Sequence, residues 1–365
     1  MEEKNKKALQ YLPHELIIQI LLRLPVKSLV RFKCVCKSWF SLISDPHFAN
    51  SHFQLSSGKH TSRILLMSTS TPRESRSIDF EAPSLDDDSA SVSRNLNFMP
   101  FQSYLHIEIK GSCRGFLLLH CYGQHWIYDI YLWNPSTGFH KNIPLSPSAS
   151  KLEDNYFYGF GYDHSTDDYL LVTMSSEDSY NQLSVLHLEF FSLRANTWKE
   201  IEGTQFSYSN IMDNEEPTSA GFLFNGAIHW FAYRPDLGEN VIVAFDLMEK
   251  KLFNMHLPDD FDRGLDGFGL WVFGESLCIW AENSMPVDFD DDDDYIENHR
   301  LELKYGLGKN TKCIHLGLRL LFCLLMAFLL GQLLEHHTYC KDARGLYVAM
   351  YIESLLSLPG DNKQA

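Results

Sequence analysis

Few residues in this chain have types and spacing suited to chemistry. An acidic run, DFDDDDDY at Asp288–Tyr295, places Asp288, Asp290 and Asp292 as the first three ligands of a calcium loop are placed. Its sixth position is Asp293, where the sharp turn needs Gly, and its twelfth is His299, where a bidentate Glu should close the site. The run therefore reads as a solvated loop. His336 and His337 are adjacent, so their side chains diverge on a helix or a strand. Cys340 has no base near it in sequence, and Gly159-Phe160-Gly161 is too short for a phosphate loop. His229 precedes Trp230 inside a strand pattern and reads as a structural histidine; Trp133, Trp198, Trp230 and Trp280 read as core rather than as a binding cage. No HExxH, GxSxG, P-loop or strand-following GxGxxG occurs. The expectation is a chain without cofactor, metal or catalytic residues.

The elements that give the chain its character lie elsewhere, first in Leu12–Ile43, LPHELIIQILLRLPVKSLVRFKCVCKSWFSLI. Leu16, Ile17, Ile20, Leu21 and Leu24 repeat at helical spacing, and Ile18 and Leu22 lie off that stripe, so the helix is apolar on more than one side. Pro13 and Pro25 suit a first helical turn. A second helix should start near Val26, with Val26, Leu29, Phe32 and Cys36 on one face. A third should carry Trp39, Phe40, Leu42 and Ile43 and stop at Asp45-Pro46. Three helices this short cannot bury two apolar faces on one another, so the surplus face needs a partner. The order LPxE, ILxRLPVKSL, RFKCVCKSW resembles an F-box, over residues 8–55. The resemblance implies docking on a Skp-type adaptor and, through it, on a cullin. Leu12, Pro13, Ile17, Leu24, Pro25, Val26, Leu29, Val35 and Trp39 would supply much of that interface; the pattern does not say which of them face the adaptor and which the other helices.

At 365 residues the chain has room for this module and one large domain, and 45% hydrophobic residues with 25 Phe and 17 Tyr fit a packed globular protein. Net charge is −16, but residues 1–55 hold eight Lys/Arg against four Asp/Glu. The module is thus basic and the body strongly acidic, which excludes a general nucleic-acid role and favours an acidic partner for the module. Eight scattered Cys without a CxxC pair, no signal-peptide pattern before Leu12, and Asn134-Pro135-Ser136 as a blocked sequon all fit a reducing compartment: cytoplasm, nucleus or both.

Residues 46–61 read as a tether and Glu81–Asn97, rich in Ser and Asp, as a mobile surface loop; Arg63–Ser68 and Ser77–Phe80 read as strands. From residue 104 a two-part unit repeats. One part is a hairpin, as in FLFNGAIHWF (Phe222–Phe231) and WVFGESLCIW (Trp271–Trp280). The other is a pair of strands around a polar tip: YLWNPSTGFHKNIP (Tyr131–Pro144), FFSLRANTWKEI (Phe190–Ile201) and AFDLMEKKLFNMHLP (Ala244–Pro258). GSCRGFLLLHC (Gly111–Cys121) and YGFGYD (Tyr158–Asp163) look like earlier first parts. A four-stranded unit of about 50 residues has the size of a propeller blade. With the terminal YVAMYIESLLSLPG, these pieces resemble the F-box-associated domain that follows plant F-boxes, a kelch-like β-propeller used for target recognition. No Gly-Gly pair of the true kelch repeat occurs.

The fold class expected is thus α+β and multidomain: a three-helix F-box, then an all-β, propeller-like domain over residues 62–360, its two end strands meeting in one blade. Residues 286–335 break the repeat, and Leu316–Leu330, LGLRLLFCLLMAFLL, is fifteen residues with Arg319 inside, short of a membrane span. A short helix is expected there. The function implied is the substrate-recognition subunit of an SCF-type ubiquitin ligase with an unidentified protein target; the alternative is a non-ligase propeller acting as a lectin-like or scaffold module.

Overall fold

Two prolines and one aspartate set the helix starts. In the computed structural model α1 is His14–Leu21, α2 Val26–Phe32, α3 Lys37–Ile43 and α4 Pro46–Ser56. The structure describes residues 12–56, 62–68, 75–79, 93–95, 103–123, 128–147, 156–177, 185–201, 208, 218–257, 267–273, 276–283, 300–307 and 346–359. Pro13 and Pro25 are the N-caps of α1 and α2, and α2 starts at Val26 as the sequence pattern expects. Their carbonyls accept the amides of Leu16 and Ile17 (3.1 and 3.2 Å) and of Ser28 and Leu29 (2.9 and 3.2 Å). Asp45 ends α3 and begins α4, its Oδ1 accepting the amides of His47 at 2.8 Å and Phe48 at 3.1 Å. The tether expected over residues 46–61 is therefore a helix as far as Ser56. Its buried residues are Phe48, Ala49 and His52, a helical face, and His52 Nε2 lies 2.8 Å from the Leu24 carbonyl it bonds.

Among the described residues twenty strands follow, in five sheets. The first sheet holds β1 (Ser62–Ser68), β2 (Ser75–Asp79), β3 (Ser93–Asn95) and, from the far end of the chain, β20 (Leu346–Ile352), in the order β20-β1-β2-β3. β1 pairs antiparallel with β20 from Ser62↔Ile352 to Ser68↔Leu346. The end strands thus do meet. Residues 93–95, expected within a loop, form an edge strand on β2; edge pairing uses backbone groups and leaves no apolar pattern to read.

The second sheet is a meander of β4 (His106–Cys113), β5 (Phe116–Tyr122), β6 (Tyr128–Trp133) and β7 (His140–Ile143). The third adds β8 (Tyr156–Asp163), β9 (Asp168–Glu177), β10 (Val185–Ser192) and β11 (Thr197–Glu200), with the short β12 (Thr218–Ala220) parallel to β8. The fourth is β13 (Phe222–Phe224), β14 (Ala227–Arg234), β15 (Glu239–Asp246) and β16 (Lys251–His256). Its first turn, Asn225-Gly226, has φ 48° and 78°, the positive pair that a two-residue hairpin needs. The fifth is β17 (Gly267–Phe273), β18 (Ser276–Asn283) and β19 (Arg300–Leu307). Within the span 286–335, where the sequence repeat breaks, β19 is a strand paired with β18, and the rest of that span lies outside the described residues. The acidic run at Asp288–Tyr295, Leu316–Leu330, His336, His337 and Cys340 lie outside them.

Successive sheets meet through their leading strands: β20 against β4, β4 against β8, β8 against β13 and β14, and these against β17. Glycines make the closest approach possible. A Cβ at Gly159 would lie 2.5 Å from Ile228 Cγ2 and 2.7 Å from Trp230 Cζ2. Bare backbone there lets the buried Trp230 ring lie flush on β8 and donate from Nε1 to the Tyr158 carbonyl at 2.9 Å. The Gly-Phe-Gly of YGFGYD is thus a packing device.

The helices do not hang free. Leu21, Val26, Leu29, Ile43 and Phe48 share one core with Phe116, Leu118, Tyr158, Phe160 and Tyr169 of the sheets and with Leu355, Leu356 and Leu358 of the C-terminal segment. That segment is tied down by Asn134 Nδ2, which donates to the Ser354 carbonyl at 3.1 Å, and by Ser354 Oγ, which donates to the Arg114 carbonyl at 3.0 Å.

Candidate functional site

With one side of the helical module buried against the sheets, its remaining apolar side chains become conspicuous. Leu16 and Ile20 stand four residues apart on α1, Leu12 precedes its N-cap, and the three are 49%, 50% and 57% exposed in that order. Val35, in the α2–α3 connection, is 61% exposed and Phe40 of α3 is 40% exposed. Leaving these five large apolar side chains of the first three helices and their connections in water forgoes roughly 1.5–3 kcal/mol for each one that a partner could fully bury.

The nine residues singled out in the sequence divide. Leu12, Pro13, Pro25 and Val35 are exposed, and Ile17, Leu24 and Trp39 are half-buried. Trp39 packs on Phe32 with ring centroids 5.3 Å apart. Val26 and Leu29 are 3% and 0% exposed and belong to the core, so of the nine, whose facing the sequence pattern left open, these two turn inward. The α2 face they define turns inward because the sheets supply a second wall that sequence periodicity does not reveal. Conversely, Leu16, Ile20 and Phe40 were missing from the nine. Spacing put Leu16 and Ile20 on one stripe with Leu21, but Leu21 is buried while they are not.

The electrostatics of the module follow its composition. The described helices carry Arg23, Lys27, Arg31, Lys33 and Lys37 against Glu15 and Asp45, and Asp45 is engaged in capping α4. Partial burial lowers the pKa of Lys33. Cys34 and Cys36 are exposed free thiols beside Val35. His229 lies between the Phe224 and Phe253 rings, and burial lowers its pKa. Trp133 and Trp230 are fully buried, as core residues should be, and Trp198 is half-buried with its Nε1 donating to the Pro144 carbonyl at 2.9 Å. Among the described residues no group of three or more His, Cys, Asp or Glu is placed to hold a metal ion, and no helix is long and apolar enough to cross a membrane.

Comparison with known families bears directly on these two parts. Residues 59–284, more than half of the chain, match the F-box associated beta propeller domain, and residues 9–50 match the F-box domain. The chain belongs to the F-box proteins with an F-box-associated domain. An F-box/kelch-repeat protein of Arabidopsis thaliana is 30% identical over 69% of this chain and 67% of its own length. The F-box protein CPR1 of the same plant is 30% identical over 69% of this chain and 62% of its own. In another F-box protein of that plant, 28% identical, the match spans 61% of the relative's length. TolB from Acinetobacter baumannii overlaps the fold at a TM-score of 0.28 with 11% identity, covering 65% of this chain and 66% of TolB, too loosely to carry an argument. The exposed stripe of α1 is thus the outer face of an F-box, and α4, at its C-terminal boundary, joins the F-box to the first sheet.

Proposed function

We propose that this chain is the substrate-recognition subunit of an SCF-type ubiquitin ligase. The F-box binds a Skp-type adaptor and, through it, a cullin; the F-box-associated domain holds a protein target. The observation that carries the reading is the uncovered apolar stripe Leu12, Leu16, Ile20, flanked by Val35 and Phe40, on a module whose other side is already occupied by its own sheets. Pro13 and Pro25 are exposed as well, while Ile17, Leu24 and Trp39 are half-buried and pack against the core. The basic balance of the helices suits an acidic adaptor. The sheets are read as blades of a ring that closes through the shared first sheet, where β20 seals the edge of β1. The place of action is the cytoplasm, the nucleus or both, where adaptor and cullin are met. Chemistry comes from other subunits by proximity, and this chain supplies position.

Titration of purified Skp-type adaptor against the full chain tests the reading. Leu16→Ala with Ile20→Ala removes two exposed anchors, and each anchor truncation costs about 2 kcal/mol or more at an interface, so affinity should drop by at least about 30-fold. Neither side chain is in the core, so the melting temperature should hold. Full affinity in the double variant excludes this surface. Point variants serve better than removal of the whole module, because removal would uncover Phe116, Tyr158 and the C-terminal leucines.

A further inference from the structure

The turn between β4 and β5 puts a cation where the backbone disfavours one. Arg114 has φ 48°, in the left-handed region, and Gly115 follows at 87°. Of the other side-chain-bearing residues with positive φ, three are Asp167, Asn196 and Asn225, the short polar types that tolerate it. An arginine held there invites the question of what its side chain meets. Its guanidinium carbon lies 3.8 Å from the centroid of the Tyr162 ring of β8 and 4.9 Å from that of Phe53 of α4. Its Nη2 donates to Asn50 Oδ1 of α4 at 2.9 Å. Its carbonyl accepts Ser354 Oγ of the C-terminal segment. Among the described residues no carboxylate pairs with it, so the aromatic faces and the amide oxygen take the place of a counter-ion. One side chain thus joins α4, the second sheet and the third sheet, and its backbone adds the C-terminal segment.

We propose that Arg114 is a positioning residue that holds the helical module at one fixed angle to the sheets. What the sheet domain binds is then presented at a set distance and direction from what the helices bind. That consequence rests on the receptor reading above; the clamp itself does not, and it is measurable in the free chain. Three independent features converge on it: a backbone conformation unusual for arginine, two aromatic faces from different units, and a hydrogen bond into the helix that leads from the module to the first sheet.

Hydrogen–deuterium exchange on the full chain tests the clamp. Asn suits the left-handed turn, so Arg114→Asn keeps the hairpin and removes only the reach of the side chain. The amides of α4 are expected to exchange about tenfold faster in that variant, the size of effect a partly desolvated cation–aromatic contact supports, while those of β8 and β9 keep their rates. Arg114→Lys keeps the charge but loses the planar fork and should loosen α4 as well. Wild-type protection of α4 in both variants overturns the proposal. So does an equal acceleration in α4, β8 and β9, which would make Arg114 an ordinary contributor to the fold. Because no adaptor is present, neither result depends on whether the F-box binds one.

Discussion

Single residues in this chain answer for contacts between units that are far apart in sequence. Gly115 has φ 87°, and a Cβ there would lie 2.2 Å from Ser354 Oγ and 2.8 Å from the Ile352 carbonyl oxygen. Gly115→Ala combines left-handed strain with overpacking and is expected to cost about 2 kcal/mol or more, read as a lower midpoint in chemical denaturation. A second residue-scale effect is electrostatic. Burial alone would raise the pKa of Asp163, but Lys250 Nζ at 2.6 Å and the hydroxyls of Ser165 and Thr166 hold it well below the usual carboxylate range. Glu108 behaves alike: burial raises it, while His106, Lys110 and Tyr122 pull it down to about 2. Carboxylates depressed in the fold stabilise it above their unfolded pKa, near 4, and that stability is lost as pH falls toward the folded value. Burial keeps His120 and His229 neutral in the fold and lowers their pKa, that of His120 to about 3, so stability should fall as pH drops through their unfolded value near 6.5, with the carboxylates adding a further decline below about pH 4.5. Lys250→Met leaves Asp163 buried and unpaired; because Lys250 is partly exposed, the expected loss is about 1–3 kcal/mol at pH 7. The loss should shrink at pH 3, where Asp163 of the variant is increasingly protonated. An equal loss at both pH values would show that the pair contributes no charge interaction.

At the scale of elements, α4 and β19 are instructive because the sequence carries a pattern for each. Asp45-Pro46 was read as the stop of α3, which it is; the same pair caps and starts α4, and Phe48, Ala49, His52 and Phe53 give the next face. Asp45→Ala should cost about 1 kcal/mol and fray the first turn of α4, seen as faster exchange of the His47 and Phe48 amides with β14 and β15 unaffected. In β19 the alternation Leu301, Leu303, Tyr305, Leu307 is a strand pattern, set between an acidic run and a long apolar run that carry no such period. The hairpins were the easiest elements to see, because Asn225-Gly226 and the flanking aromatics fix turn and register locally. Which side of α1 faces outward was not legible. Leu16, Ile17, Ile20 and Leu21 form one stripe by spacing, and only packing against the sheets separates the exposed Leu16 and Ile20 from the buried Leu21. Arg114 left no signal, since nothing in GSCRGFLLL shows what its side chain will meet.

For the whole molecule, the joining of the two chain ends decides most. β20 completes the first sheet, and Leu355, Leu356 and Leu358 beyond it enter the core that the helices share. Truncation after residue 345 should therefore lower the melting temperature of the entire body and loosen the helices with it; unchanged melting by calorimetry would show that the first sheet stands without β20. The same pairing orders events in time. β1 leaves the ribosome about 280 residues before its partner exists. At ordinary rates of synthesis, the gap lasts on the order of 15–60 s. For that interval β1 presents an open backbone edge, and the apolar faces of the F-box lack the C-terminal leucines that finish their wall. Until β20 and the leucines that follow it have been made, the nascent chain should engage chaperones. A premature stop late in the message would leave it in that state for good, so late truncations should be cleared from the cell about as thoroughly as early ones.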